Sequence, residues 1–142
     1  MRNRRRPEAM SAQSKGAKIL FIDDDDDLVD ALSLLLESSG YSVRRAADGD
    51  EGLRMAREET PDLVLLDFMM PVKSGFDTSQ EMRQIESLRN VPIIALTSFG
   101  QNIGEIYGLS SEDAHRQIQG FLEKPVEPNV LLERIAQALG PR

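Results

Sequence analysis

The chain reads as an α/β protein: a parallel sheet of five strands covered by helices on both faces. Two observations predict this. Stretches of strand length, most of them apolar, alternate five times with helical stretches, a pattern that calls for parallel strands joined by crossover helices. The central run, Leu63 to Leu66, is apolar without interruption, as expected of a strand buried on both faces. At 142 residues the chain has the length of one domain with a proper core.

The elements follow in order. Lys18-Ile19-Leu20-Phe21-Ile22 is the first buried strand, and Asp23 to Asp27 come directly after it. Leu28, Leu32, Leu35 and Leu36 then form one stripe, with Val29 beside it, on a packed helix. Asp26 or Asp27 can cap that helix, where acid suits the helix dipole, and Ser39-Gly40 ends it. Tyr41 to Arg45 is a short second strand, and Ala47-Asp48-Gly49 turns into a second helix from Asp50 to about Glu58. The central strand ends in Asp67. Pro71 stops regular pairing, and Gly75 permits a tight turn before a third helix. That helix runs from Phe76 to about Ser87 with Phe76, Met82 and Ile85 facing inward. Val91 to Leu96 is the fourth strand, ending at Thr97-Ser98, with Pro92 at its start where a missing N–H matters little. Gly100, Gly104 and Gly108 each disfavour helix by about 1 kcal/mol relative to alanine. A continuous helix from residue 100 is therefore not expected; a short one starting near Ser110-Ser111 and ending near Gln119 is. Phe121-Leu122 is the fifth strand. Pro128 opens the last helix, which places Leu131, Ile135 and Leu139 in line and stops at Gly140-Pro141.

Composition narrows the chemistry. There is no cysteine and one histidine, His115, so thiol chemistry is excluded and a Cys/His zinc site is not expected. No apolar run approaches a membrane span. The net charge of −7 is uneven. Residues 1–18 carry six basic side chains against Glu8 alone, a net +5, which leaves −12 for the rest. Residues 1–17 read as a basic, flexible N-terminal arm and 18–142 as the folded domain. The acidic body argues against nucleic acid binding by the domain itself.

In a parallel sheet every strand's carboxyl end lies on one rim, where open α/β sheets place their sites. Here four polar clusters meet there: Asp23-Asp24, Asp67, Thr97-Ser98 and Lys124. None of them means much alone. Together, three carboxylates in one crevice repel, so without a cation at least one has its pKa raised. Oxygen ligands without histidine or cysteine suit a hard divalent ion, Mg2+ first, with manganese or calcium as alternatives. A threonine hydroxyl and a lysine ammonium suit phosphate oxygens. A carboxylate nucleophile beside a metal, a hydroxyl and an ammonium is what phosphoryl transfer to an aspartate needs.

These residues resemble the receiver domain of two-component response regulators, the CheY-like family. The resemblance rests on Asp23-Asp24 after a strand, Asp67-Phe68-Met69-Met70-Pro71 with Gly75, Ile94-Ala95-Leu96-Thr97, and Lys124-Pro125, and covers roughly residues 18–140. It implies a flavodoxin-like, doubly wound sheet in the order 2-1-3-4-5. It implies Asp67 as phosphoacceptor and Mg2+ held by Asp24, by Asp23 largely through water, by Asp67 and by the backbone carbonyl of Met69. Thr97 would hydrogen-bond the phosphoryl group and Lys124 would pair with it, while Thr97 and Phe121 would form the switch. The Lys124–Pro125 bond would be cis. The partners implied are a histidine kinase or phosphotransfer protein and a downstream protein, with no membrane contact, in the cytoplasm. The domain would assist its own phosphotransfer and dephosphorylation without being an enzyme in the usual sense.

The chain departs from the family between Thr97 and Lys124, which are 27 positions apart, and has Gln117-Ile118-Gln119-Gly120 where a small-residue turn is usual. An atypical fourth helix is therefore expected. Other readings are weighed against this one. As an EF-hand loop the aspartate run has Leu28 at the glycine position and Leu34 at the final glutamate position. As a haloacid-dehalogenase-type hydrolase, Asp23 and Asp25 have the spacing, but Asp26 and Asp27 follow where glycine and threonine or valine belong. A receiver that binds partners without phosphorylation is the third.

Overall fold

The computed structural model describes residues 16–70, 73–98 and 117–140. Five parallel strands, β1 (Lys18–Ile22), β2 (Ser42–Ala46), β3 (Leu63–Asp67), β4 (Ile93–Thr97) and β5 (Gly120–Glu123), form one sheet in the order β2-β1-β3-β4-β5. The described helices are α1 (Asp26–Ser38), α2 (Gly49–Glu58), α3 (Gly75–Gln84) and the C-terminal α4 (Pro128–Leu139). The predicted fold class and strand order hold. The arm up to Lys15, Pro71, and the expected atypical fourth helix with Gly100, Gly104, Gly108, Ser110 and His115 lie outside the described residues.

Side chains alternate across each strand, so the sheet builds two cores. Leu20, Ile22, Val64 and Leu66 face α2 and α3, where Leu53, Ala56, Phe76 and Met82 are buried with them. Ile19, Phe21, Leu63 and Leu65 face α1 and α4, meeting Val29, Leu32, Leu36, Leu131 and Ile135. β3 sits mid-sheet and is buried throughout, Asp67 included. That explains its unbroken apolar sequence.

Several boundaries differ from expectation, each for a local reason. Asp25, rather than Asp26 or Asp27, caps α1: its backbone is extended and its carboxylate accepts the Leu28 N–H at 3.2 Å. The buried stripe of α1 is centred on Val29, Leu32 and Leu36, with Leu28 and Leu35 only half-buried at its margins. Tyr41 closes α1 by donating to the Leu36 carbonyl, so β2 begins one residue later. α3 stops at Gln84 because Ile85 turns extended and bonds Met82 instead of continuing; Glu86–Leu88 is a separate 3-10 turn. β4 starts after Pro92, whose carbonyl accepts from Val64 N. β5 is longer than Phe121-Leu122 by one residue at each end.

Gly75 has a different role from the one predicted. It begins α3 and lies against the backbone of β3's end: a Cβ there would crowd the Asp67 carbonyl oxygen and come within 2.7 Å of Phe68 Cα. Close backbone approach, not a special dihedral angle, calls for glycine at this position.

Candidate functional site

The rim assembles from strand ends. β1 delivers Asp23, which is buried, and Asp24, which is exposed; β3 delivers Asp67 and β4 delivers Thr97, both buried. Lys124 follows β5, and its N–H donates to the Thr97 carbonyl at 2.8 Å, extending the ladder by one bond. One carboxylate oxygen each from Asp23, Asp24 and Asp67 lies within 4.8 Å of the others. The Lys124 ammonium stands 3.2 Å from Asp23 Oδ2 and 3.6 Å from Asp67 Oδ2. The Lys124–Pro125 peptide bond is cis. The five side chains singled out in the sequence therefore sit at adjacent strand ends.

Backbone groups orient two of the carboxylates. Asp23 Oδ1 accepts from Asp25 N at 3.0 Å, and Asp67 Oδ1 accepts from Met69 N at 2.9 Å. Asp23 Oδ2 is buried and, among the described residues, accepts no hydrogen bond; the Lys124 ammonium faces it outside hydrogen-bonding geometry. The Met69 side chain points to solvent.

The electrostatics follow from burial and crowding. Burial pushes the Asp23 carboxyl up to about 6; the Asp25 N–H pulls it down, the Asp67 charge adds to the rise, and Lys124 offsets part of it. Repulsion contributes as expected, but desolvation dominates. Burial disfavours the Lys124 ammonium, yet the charges of Asp67 and Asp23 outweigh it and hold its pKa above the usual lysine value. A hard divalent cation fits this donor set: three carboxylates, one of them with a buried oxygen lacking a hydrogen bond, and no softer ligand.

The aromatic residue expected in the switch, Phe121, is half-buried and packs edge-to-face on Phe68 at 6.1 Å. Phe68 packs likewise on Phe76 at 6.3 Å. The ring next to Asp67 in sequence thus touches the ring on β5.

The family model of the response regulator receiver domain matches residues 19–136. This chain belongs to the response regulator receiver family. As a receiver domain of two-component systems it is 36% identical over 122 residues to the DNA-binding dual master transcriptional regulator RpaA of Synechocystis, covering 86% of this chain but 48% of RpaA. The chain thus spans about half the length of that relative. It is 31% identical to Protein PilH of Pseudomonas aeruginosa, covering 87% of this chain and 98% of PilH. Among solved structures, it resembles the receiver domain of the sensor histidine kinase PA1611 from Pseudomonas aeruginosa, which has a magnesium ion coordinated in its active site cleft. The identity is 30% and the TM-score 0.77, over 88% of this receiver and 98% of that one. No described helix of this receiver is long and apolar enough to cross a membrane.

Sequence reasoning missed three features of this receiver domain. Asp25 as the cap could have been found, since Asp25 stands three residues before the first residue of the apolar stripe. Lys73 bridges Asp50 at 2.8 Å and Glu81, tying α2 to α3. Arg83 binds a cluster of oxygens beneath β4 and β5. The last two each combine a nearby partner with a remote one, Lys73 with Asp50 and Arg83 with Gln117 and Gln119, and nothing local signals the remote ones.

Proposed function

We propose that this receiver domain accepts a phosphoryl group from a phosphohistidine of a histidine kinase or phosphotransfer protein onto Asp67, and that the phosphorylated form binds a downstream partner differently. The observation that carries this reading is the placement of Lys124 3.6 Å from an Asp67 carboxylate oxygen, beside Asp23 and Asp24. Asp67 is held by the Met69 N–H through one oxygen, which leaves the other to attack phosphorus. The Asp67 O–P bond forms as the donor's N–P bond breaks, and the bonding pair returns to the imidazole nitrogen. Asp23, Asp24 and Asp67, with the backbone carbonyl of Met69, would hold Mg2+, which supplies charge neutralisation for the phosphoryl oxygens. Lys124 pairs with one phosphoryl oxygen and the Thr97 hydroxyl bonds another. Thr97 and Phe121 carry the change outward, a population shift between two arrangements.

The test is incubation with acetyl phosphate and magnesium, with the modified residue located by mass spectrometry. Label is expected on Asp67, and Asp67→Asn is expected to fold normally and take none. Undiminished labelling of that variant would overturn the assignment.

A further inference from the structure

Arg83 lies in the last turn of α3, at the rim opposite the aspartates. Its guanidinium reaches five neutral oxygens. Nη1 donates to the carbonyls of Leu88, Arg89 and Val91 at 2.9, 3.1 and 2.8 Å. Nε and Nη2 donate to the Gln117 carbonyl at 3.1 and 2.7 Å, and Nη2 also to Gln119 Oε1 at 2.9 Å. The first three oxygens lead into β4; the others lead into β5.

Gln119 is the joint between the two strands. Its N–H donates to the Ile93 carbonyl at 2.9 Å, and its Oε1 accepts the Ile93 N–H at 2.8 Å. It therefore makes both bonds of a pair with Ile93, one through the main chain and one through the side chain, just ahead of the first ladder pair Ile94–Gly120. Arg83 fixes the Oε1 that makes this possible. Gln117 adds a bond from Nε2 to Ser79 Oγ at 2.8 Å, tying the same segment back to α3.

β5 needs such help. It has four residues: Gly120 offers no side chain, Phe121 is half-buried, Glu123 is exposed, and Leu122 alone is buried. Register is weakly specified when so little of a strand is buried, and a one-residue slip moves every following group by about 3.3 Å and to the other face. Lys124 is the residue that follows. Its N–H bond to Thr97 and its ammonium's 3.2 and 3.6 Å approaches to Asp23 and Asp67 all depend on that register.

We infer that Arg83 is a positioning residue for Lys124: it pins β5 to β4 at the amino end and so sets where the ammonium meets the carboxylates roughly 16 Å away. The functional part of this inference rests on the phosphoryl reading of the rim; the register part does not.

Arg83→Lys keeps the charge and loses the fork. Three quantities distinguish positioning from general support: magnesium affinity, affinity for beryllofluoride (a phosphoryl mimic) in saturating magnesium, and amide exchange. In the variant, beryllofluoride affinity should fall roughly tenfold, the scale of one charge-assisted hydrogen bond. Magnesium affinity should not fall by more than about twofold, because Asp23, Asp24 and Asp67 lie at the ends of β1 and β3, and withdrawing the Lys124 ammonium from Asp23 and Asp67 removes a competing positive charge. The Gln119 and Lys124 amides should exchange faster while those of β1 do not. In a Lys124→Ala background, Arg83→Lys should cost no further beryllofluoride affinity. Gln119→Ala, a milder change, should reproduce the pattern if Arg83→Lys does not fold. Additive losses in the double variant, or magnesium and beryllofluoride affinity falling together with unaltered β5 exchange, would overturn the inference. If the unmodified protein binds no beryllofluoride, the phosphoryl reading fails, and the exchange data alone decide whether Arg83 sets the register.

Discussion

Within the aspartate run, neighbouring carboxylates divide their work according to backbone position. Asp23 is drawn into the crevice, Asp24 stands at its mouth, Asp25 caps α1, and Asp26 and Asp27 lie exposed in the first turn. Substitutions along the run should separate these roles. Asp24→Ala is expected to weaken magnesium binding at least tenfold with little change in stability. Asp25→Ala should lower stability by about 1 kcal/mol through the lost cap and leave the metal nearly untouched. Asp26→Ala should alter neither by a measurable amount. Calorimetric titration and urea melts on the three variants would check this; equal effects on magnesium would mean that the run acts as one diffuse acidic patch.

At the scale of elements, α3 is seated on the end of β3 through Gly75, and the seat has no room to give. Backbone atoms, not a flexible side chain, would meet an added methyl group. Gly75→Ala should therefore cost about 3 kcal/mol, the upper part of the range for overpacking. Gly120→Ala is the control: its Cβ would come no closer than 3.6 Å to Ile94, an ordinary contact, and its effect in the same urea melts should stay below about 0.5 kcal/mol. How far elements were legible in the sequence depends on the same distinction between local and remote causes. Except for β2, whose sequence is largely polar, strand identities followed from apolar runs, and the rim residues followed from strand ends. On α1 the stripe was right at Leu32 and Leu36 and in leaving out Leu34, but its centre was set too far toward Leu28 and Leu35, because leucines are alike by type and only packing against the sheet buries Val29 and leaves those two at the margin. Gly75 was legible as glycine but not as a close contact, since the neighbouring chain segment is fixed by the fold. Arg83 offered only a cation near a helix end.

For the whole molecule, the raised Asp23 pKa links folding to pH and to metal. The folded protein keeps a proton on Asp23 up to about pH 6, while the unfolded chain releases it near the ordinary value of 3.8. Between those values the folded state binds more protons, so this group's contribution is full below about pH 4 and is lost as pH rises through 6. In chelator, the stability that the unmodified protein has beyond Asp23→Asn, read relative to its value at pH 4, should decline across that window. On the proposed reading magnesium would bind the ionised form, so its affinity should climb from pH 5 to pH 7, and saturating magnesium should remove the slope above about pH 4. Thermal melts of the unmodified protein and Asp23→Asn at pH 4 to 7, with and without magnesium, would check all three; a metal-free difference between the two that rises across the window would contradict the burial argument.

The division of labour in Asp23 to Asp27 has a genetic consequence. Removing any one of the five aspartates yields the same protein, so five distinct deletions are one mutation. That protein still has aspartates at the strand end, in the crevice and at the cap, and its composition is almost unchanged. What changes is phase. If β1 and the cap stay in place, every residue of α1 moves up by one position and turns by about 100° around the helix axis. Val29, Leu32 and Leu36 leave the core face, and their C-terminal neighbours Asp30, Ser33 and Glu37 replace them. The length of this run, more than the identity of its members, is what the first helix requires.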